Sequence, residues 1–458
     1  MVRATRGWIR SLLAVLAVGA IAAAALATVS VDQVAVVVDA GRGEAPLRQG
    51  GVRLDGRALA DDGGPINALG TSLFWALWGE RNDPDRLDAN IEWLAGLGVD
   101  FVRVLGMVGS DSWSDRRIDP DALDYWAMVD RFLARLARHG MRAEVTIFAD
   151  AQVMMPAPIA RARFVEAWAD RVNREPDRFI LIEISNEHWQ NGLDDIEELR
   201  ELGRRFANRT DVLVALSSPV KGGACGVYAA SAADLATVHY PRTAGNEGWE
   251  SVLEPWRWPA EYDDPCEGAL PTAVNNEPSG PGASGRGESD PLRLVMAYVT
   301  TLVSQNAAYV VHAGAGVRGG GAADLAAGRE ANLFDVPGLE AALEGMRAAN
   351  DYLPAGLANW SRHSPGEASH PFVGFDSATA RGSLAGAYAA TSGDQFVVAV
   401  AGLRRAVTVS PRRSCAVEVH DPLTGTVTAT IQRAAGEPVT LEGAEALILT
   451  GACSDTPD

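Results

Sequence analysis

Strand-like and helix-like segments alternate eight times between about residues 65 and 350, and this alternation restricts the fold more than any other feature. The strand-like runs are apolar throughout, which is typical of parallel strands that are covered on both faces. Most are followed by a segment with helical spacing. In one of these segments Leu87, Ile91 and Leu94 share a face before Gly98 ends the helix. Such a series of repeats predicts an α/β fold of the TIM (β/α)8 barrel type.

The eight predicted strands lie within short apolar stretches. In chain order they read INALGTSLF, VDFVRVLGM, RAEVTIFAD, FILIEISNE, DVLVALSS, DLATVHYP, LPTAVNNEP and AYVVHAG. A doubly wound open sheet is the structural alternative. No GxGxxG motif follows the first strand, so nothing supports a dinucleotide site in such a sheet.

The pattern changes after about residue 370, where short strand-like runs are separated by turn residues and no helical spacing remains. This pattern predicts a small C-terminal all-β sandwich domain. The predicted organisation is a signal peptide or membrane anchor in residues 1–30, a barrel in residues 31–360 and the sandwich in residues 370–455.

Charge and the N-terminal segment restrict the partners and the location. The chain of 458 residues has a formal net charge of −19, which disfavours binding to nucleic acid or to an anionic membrane. Arg3, Arg6 and Arg10 precede the apolar run SLLAVLAVGAIAAAALA, a pattern typical of a bacterial export signal. The run is also long enough for an uncleaved anchor. We therefore expect a secreted or cell-envelope-anchored protein.

The four cysteines are candidates for disulfide bonds if the chain is exported, because disulfides persist outside the cytosol. The sequential pairing, Cys225 with Cys266 and Cys415 with Cys453, is favoured because each pair then lies within one predicted domain. Two other pairings, or free thiols, remain possible. The sequence has no CxxC motif and no Cys/His cluster, so it predicts no metal site.

Polar residues follow the apolar strands where the strands end. In a barrel these positions lie at one end, where catalytic residues are found. They are Arg103, Asn186, Glu187, His239, Tyr240, Asn275, Asn276, Glu277 and His312. Glu187 follows strand four and Glu277 follows strand seven, so we expect them to face one central opening. Two carboxylates across such an opening are what glycoside hydrolysis requires.

The stretch IEISNEH resembles the Asn-Glu motif that ends strand four in glycoside hydrolase family five and, more broadly, in clan A. The resemblance implies that Glu187 is the general acid/base and Glu277 the nucleophile. It also implies that Asn186 binds the sugar 2-hydroxyl, that Arg103 steadies the nucleophile and that His239 is the strand-six histidine. The mechanism that the resemblance implies needs no metal or organic cofactor.

Three positions depart from the family pattern. His239 and Tyr240 are adjacent, whereas family members often have His-x-Tyr, and strand three ends in IFAD rather than near a histidine. Strand eight ends at His312 where the family usually has a sugar-stacking tryptophan. Loop tryptophans, among them Trp75 and Trp189, are candidates for stacking on sugar rings.

These observations predict a secreted retaining β-glycoside hydrolase that cleaves a poly- or oligosaccharide by double displacement. The alternative is a non-catalytic carbohydrate-binding protein on a degenerate barrel, which the missing strand-eight tryptophan suggests. A peptidase ranks below both, because neither GxSxG nor HExxH occurs. The expected partner is a carbohydrate, and the sugar and linkage stay open.

Overall fold

The computed structural model describes residues 50–219, 224–242, 248–257, 270–282 and 287–454. The predicted signal or anchor in residues 1–30 lies outside these residues, and so does Cys266. Among the described helices, none combines the length and the apolar character that crossing a membrane requires.

The described strands are numbered in chain order. They are β1 Arg53–Asp55, β2 Ala58–Asp61, β3 Gly64–Ile66, β4 Ala68–Ser72, β5 Phe101–Leu105, β6 Arg142–Phe148, β7 Phe179–Ser185, β8 Val214–Ala215, β9 Leu235–Val238, β10 Thr272–Asn275, β11 Ala308–Val311, β12 Ser361–His363, β13 Phe372–Val373, β14 Gly386–Ser392, β15 Gln395–Ala401, β16 Val407–Pro411, β17 Ser414–His420, β18 Val427–Arg433, β19 Val439–Leu441 and β20 Ala446–Ser454.

The described helices are numbered in the same way. They are α1 Ala76–Asn82, α2 Pro84–Gly96, α3 Tyr125–Arg138, α4 Ala151–Met154, α5 Pro158–Val172, α6 Ile196–Ala207, α7 Ala224–Tyr228, α8 Glu250–Arg257, α9 Pro291–Val303, α10 Gly314–Arg318, α11 Ala322–Ala326, α12 Leu339–Tyr352 and α13 Ala378–Arg381.

Strands β4 to β11 form a closed barrel in which neighbouring strands are parallel. The barrel closes between β11 and β4, where Ala308 is the register partner of Ala68. Each of the eight predicted strand segments contains one of these strands, so the predicted TIM barrel is confirmed. We call the end at which the strands' carboxyl ends open the barrel mouth.

A small antiparallel sheet, β1–β2–β3, covers the opposite end of the barrel, and the sequence did not reveal it. Leu59 and Ile66 pack in one apolar cluster with Phe101, Ile180 and other residues at the amino ends of the barrel strands. The sheet therefore closes the barrel floor, and the mouth is the end left for a site.

Strand β8 has only two residues, and a tyrosine side chain completes the barrel beside it. The Tyr228 hydroxyl, at the end of α7, accepts hydrogen bonds from the amides of Ser217 (3.2 Å) and Thr237 (3.0 Å). It donates to the Ser217 carbonyl at 2.8 Å. The phenol thus links the segments after β8 and within β9, where few ladder bonds form.

The C-terminal strands form a six-stranded sheet, in the order β12-β14-β15-β20-β17-β18, and a three-stranded sheet, β13-β16-β19. Strand β15 shows why the larger sheet is buried on both faces. Phe396 and Val398 point into the core shared by the two sheets, whereas Val397 and Ala399 belong to the apolar cluster of the barrel. The predicted all-β architecture is therefore confirmed.

A disulfide joins Cys415 and Cys453, as predicted. It connects paired positions of β17 and β20 inside the sandwich core. The Cys225–Cys266 pairing stays a prediction because Cys266 lies outside the described residues. All described strands and helices belong to one compact unit, so the predicted boundary between residues 360 and 370 also remains a prediction.

Candidate active site

Glu187 lies two residues after β7 in a strained backbone conformation. Its φ of 33° is unusual for a residue other than glycine, and such strain is often found at functional sites. The Asn191 side-chain amide donates to the carbonyls of Asn186 (2.7 Å) and Glu187 (3.3 Å), and the His188 amide donates to the Ser217 hydroxyl. These bonds fix the turn and aim the Glu187 side chain over the mouth.

Glu277 follows β10 and is almost completely buried, and cationic groups contact both of its oxygens. Arg103 Nη1 donates to Oε1 at 2.7 Å, and Arg242 Nη2 donates to Oε2 at 3.0 Å. His239 Nδ1 and His312 Nε2 lie 3.4 Å and 3.6 Å from Oε2.

These neighbours determine the charge of Glu277. Burial alone would raise the pKa of this carboxyl, but the attractions of His239, Arg103 and Arg242 outweigh it and hold the pKa well below the usual range. Glu277 is therefore an ionised carboxylate at neutral pH, as a nucleophile must be.

His239 stands between the two carboxylates. Its Nδ1 lies 3.1 Å from Glu187 Oε1 and 3.4 Å from Glu277 Oε2. One oxygen of Glu187, one oxygen of Glu277 and a ring nitrogen of His239 all lie within 4.8 Å of one another. The two carboxylates thus face each other across one histidine. The same three side chains could also offer ligand atoms to a cation.

Arg103 occupies the centre of the barrel beneath the mouth and is completely buried. Its Nη2 donates to Glu183 (2.7 Å) and to Asn186 Oδ1 (2.9 Å), and its Nε donates to the Thr146 hydroxyl (3.2 Å). The contact between Arg103 and Glu183 is a fully buried ion pair. Arg103 therefore connects the Asn-Glu segment after β7 to Glu277 after β10.

His312 follows β11 and closes the remaining side of the site. Its Nδ1 lies 2.9 Å from the Ser72 hydroxyl, and Phe74 contacts its ring edge-on. Burial lowers the pKa of His312 to about 3, with Arg242 and Arg103 adding to the effect and Glu277 opposing it. The ring is therefore neutral at physiological pH and adds no charge beside Glu277.

Six of the predicted site residues meet at the mouth: Arg103, Asn186, Glu187, His239, Glu277 and His312. Three others do not join them in contact. The Tyr240 hydroxyl donates to Asn306 at 2.6 Å, and the buried indole of Trp75 donates to the Ala315 carbonyl. Trp189 lies two residues after Glu187 with 44% of its surface exposed, as a residue on a binding rim would.

The sequence analysis missed Arg242 and Glu144. Arg242 follows the predicted strand-six residues by two positions, and nothing in its spacing distinguishes it from a surface arginine. Glu144 gave a clearer signal, because it is a carboxylate within an apolar strand, and such a residue is buried only with partners.

Comparison with solved structures shows the same architecture in glycoside hydrolases. A glycoside hydrolase of family 5 from Bacteroides vulgatus ATCC 8482 superposes with a TM-score of 0.67 at 13% identity, covering 89% of this chain and 94% of that one. A second glycoside hydrolase gives a TM-score of 0.64 at 13% identity, covering 89% of this chain and 98% of that one.

No protein-family model matches the sequence, and no curated protein is significantly similar to it. At 13% identity the structural likeness concerns the fold alone. The resemblance to barrel glycoside hydrolases that the sequence predicted is confirmed at that level: this chain has their fold.

Proposed function

We propose that this protein is a retaining β-glycoside hydrolase with Glu187 as acid/base and Glu277 as nucleophile. The observation that carries the proposal is the pair of facing carboxylates, with oxygens within 4.8 Å of each other. Retaining glycosidases place their carboxyl groups about 5–5.5 Å apart, whereas inverting ones leave about 6.5–9.5 Å for a water molecule. The short separation therefore supports double displacement.

The contacts of Glu277 support one of its oxygens as the attacking atom. Oε1 is held by Arg103 beneath the mouth, whereas Oε2 lies on the side of His239 and Arg242, so the proposal takes Oε2 as the oxygen that attacks the anomeric carbon. As that bond forms, the glycosidic bond breaks and Glu187 gives its proton to the leaving oxygen. Glu187 then takes a proton from water, which attacks the same carbon and releases Glu277. The sugar leaves with its original configuration.

Two neighbouring residues support these steps. Asn186 Oδ1 is occupied by Arg103, which leaves the amide nitrogen of Asn186 to donate to the sugar 2-hydroxyl. His239 contacts both carboxylates and can keep the two side chains in position as their charges change. The solved glycoside hydrolases with this fold, together with the exposed Trp189, make a carbohydrate the proposed substrate.

Azide rescue tests the role of Glu187. The variant Glu187→Ala keeps its nucleophile and should still form the glycosyl-enzyme from a dinitrophenyl glycoside, whose leaving group needs no proton. Hydrolysis then stalls because no base activates water. Azide needs no base, so it should restore turnover and give a glycosyl azide of retained configuration.

The matching experiment tests Glu277. The variant Glu277→Ala leaves room for azide to attack the sugar directly, and that single displacement should give a product of inverted configuration. If the two variants give the opposite stereochemistry, the roles are exchanged. If wild-type protein releases no reducing ends from a panel of β-glycans and aryl β-glycosides but binds one of them, the protein is a carbohydrate-binding module instead.

We also propose export to the cell surface or the medium. The support is the Arg-rich, apolar N-terminal segment together with the Cys415–Cys453 disulfide, a bond typical of proteins outside the cytosol. Fractionation of cells that express the full chain, with the mass of the exported form, would distinguish a cleaved signal from an anchor.

A further inference from the structure

Arg103 is surrounded by more carboxylates than its charge can balance. Besides Glu277 and Glu183, a third glutamate, Glu144 in β6, lies 3.4 Å from Arg103 Nε. All three carboxylates are nearly or completely buried. Arg242 adds one positive charge at Glu277. Two arginines thus face three carboxylates, and a third buried negative charge would be very costly.

Glu183 has the surroundings of an ionised group. It accepts hydrogen bonds from Arg103 Nη2 (2.7 Å), the Thr146 hydroxyl (2.6 Å) and Asn276 Nδ2 (3.3 Å). Three donors, two of them close, are what a buried carboxylate needs.

Glu144 has much weaker contacts. Only its Oε1 meets donors, Arg103 Nε and Asn276 Nδ2, and both lie 3.4 Å away. Its Oε2 is buried and has no hydrogen-bond partner among the described residues, and the same holds for Asn276 Oδ1. Two acceptors without a donor therefore belong to two side chains in contact. A proton on Glu144 would supply the missing donor.

We propose that Glu144 is protonated in the working protein and that it positions Arg103. As a neutral acid, Glu144 does not compete for the guanidinium group, so Arg103 forms its ion pairs with Glu183 and Glu277. The effect of Glu144 on catalysis rests on the proposed function, whereas the buried proton does not. Glu144 is thus a positioning residue, because it reaches the nucleophile only through Arg103.

The charged groups around Glu144 agree with this assignment. They are Arg103 on β5, Glu183 on β7 and Glu277 after β10, with the neutral Asn276 between. Burial raises the pKa of Glu144 to about 8. Arg103 opposes this rise, and Glu183 and Glu277 add to it.

Infrared spectroscopy of the protein without substrate tests for the proton. Protein carrying Glu187→Ala, which lacks the proton of the proposed acid/base, should show at pH 6 the C=O band of a protonated carboxyl group, and this band should disappear as the pH rises through about 8. Adding Glu144→Gln should remove the band. Adding Glu80→Gln instead, which changes a buried glutamate that pairs with Arg131 and Arg135, should leave it. Absence of the band from Glu187→Ala at pH 6, or its persistence after Glu144→Gln is added, would overturn the proposal.

Thermal unfolding gives a second test that does not depend on the band. The pKa of Glu144 is about 8 in the folded protein and 4.5 for an ordinary glutamate, so folding takes up a proton between these values. The stability that Glu144 contributes is complete below pH 4.5 and is lost as the pH rises to about 8. The melting temperature of wild type relative to Glu144→Gln should therefore fall over this range. A constant difference contradicts the proposal, and Glu144→Met, which also removes the carboxyl, provides the comparison if Glu144→Gln does not fold.

The effect of Glu144 on catalysis is measured in the variant Glu187→Ala, in which the acid/base no longer contributes to the pH dependence. In Glu187→Ala, formation of the glycosyl-enzyme from a dinitrophenyl glycoside depends on Glu277 and the groups that contact it, and no longer on a proton from Glu187. Ionised Glu144 competes for Arg103, so this rate should fall as the pH rises through about 8, and adding Glu144→Gln should remove the fall. If the band is present but no glycoside is cleaved, only the proposed function fails. If glycosides are cleaved but the band is absent, only this inference fails.

Discussion

Two arginines share the carboxylate of Glu277, one on each oxygen, and they differ in what they do. Arg103 is completely buried and contacts Oε1, together with Asn186 and Glu183. Arg242 comes from the loop after β9 and contacts Oε2, the oxygen proposed to attack the sugar. Arg103 therefore holds the site residues together, whereas Arg242 adds positive charge at Oε2.

We predict that Arg242→Gln lowers kcat/KM by about 10- to 100-fold, because it removes a hydrogen bond to a charged group worth about 1.5–3 kcal/mol. Since Arg242 helps to hold the pKa of Glu277 low, its removal raises that pKa. The acid limb of the pH profile should therefore move to higher pH. Arg413→Gln, which breaks an exposed pair with Asp394 in the sandwich, is the control and should leave the profile unchanged.

For Tyr240, the role predicted from the sequence differs from the contact that the structure shows. The sequence analysis expected it to bind substrate, but its hydroxyl donates to Asn306 inside the protein. We predict that Tyr240→Phe lowers the free energy of unfolding by about 1–3 kcal/mol, since Asn306 Oδ1 loses its donor, and leaves KM unchanged. A raised KM with unchanged stability would instead support the predicted role of Tyr240 in substrate binding.

How far the sequence reveals the site depends on how each side chain is positioned. Glu187 and Glu277 directly follow apolar strands, and the barrel brings strand ends together whatever the loops do. Arg242 is placed by a loop, whose path the sequence does not determine. Trp75 also lies in a predicted loop, but its side chain is buried against α10. Its indole contacts Ala315, which is 240 positions away in the sequence, so no local pattern predicts this contact.

At the scale of single elements, the seam between β8 and β9 is the weakest part of the barrel wall. The predicted fifth strand spans eight residues, DVLVALSS, but only Val214 and Ala215 form a strand. The Tyr228 hydroxyl replaces the ladder bonds that a longer strand would make. No apolar pattern could reveal this, because it depends on one hydroxyl from a later helix. Strands of three or four residues, such as β1 to β3, are likewise too short for a recognisable pattern.

We predict that Tyr228→Phe lowers the free energy of unfolding by about 2–4 kcal/mol, because two buried amides and a carbonyl lose their partner. Hydrogen exchange at the amides of Ser217 and Thr237 should become faster, and denaturant titration would measure the loss. Tyr309→Phe is a matched control, since the Tyr309 hydroxyl is buried and has no partner among the described residues. If both variants lose the same stability, the seam does not depend on Tyr228.

At the scale of the whole molecule, the barrel and the six-stranded sheet share a continuous apolar contact. Helix α9 is buried around most of its circumference, from Leu294 to Val303. Such a helix needs cover on its outer side. Residues of β15 and β20 pack into the barrel cluster, and Trp256 stacks on Tyr388. The two parts should therefore unfold together.

We predict that Val397→Asp, which puts a charge into this contact, prevents folding of the barrel as well as the sheet, because an unpaired buried charge costs several kcal/mol. Val427→Asp, on the exposed edge strand β18, is the control and should change stability by no more than about 0.5 kcal/mol. Circular dichroism and tryptophan fluorescence would follow the two parts. Two separate transitions in wild type would contradict the expectation.

The order of strands in the six-stranded sheet has a consequence for biosynthesis. Strand β20 is the last of the described strands in the chain, yet it lies in the middle of the sheet, between β15 and β17. A ribosome therefore makes both flanking halves before the strand that joins them. Until Ser454 has left the exit tunnel, the sheet stays divided and the outer side of α9 lacks its complete cover. A chain stalled before this point would expose apolar surface, the mark by which chaperones and proteases recognise unfinished proteins.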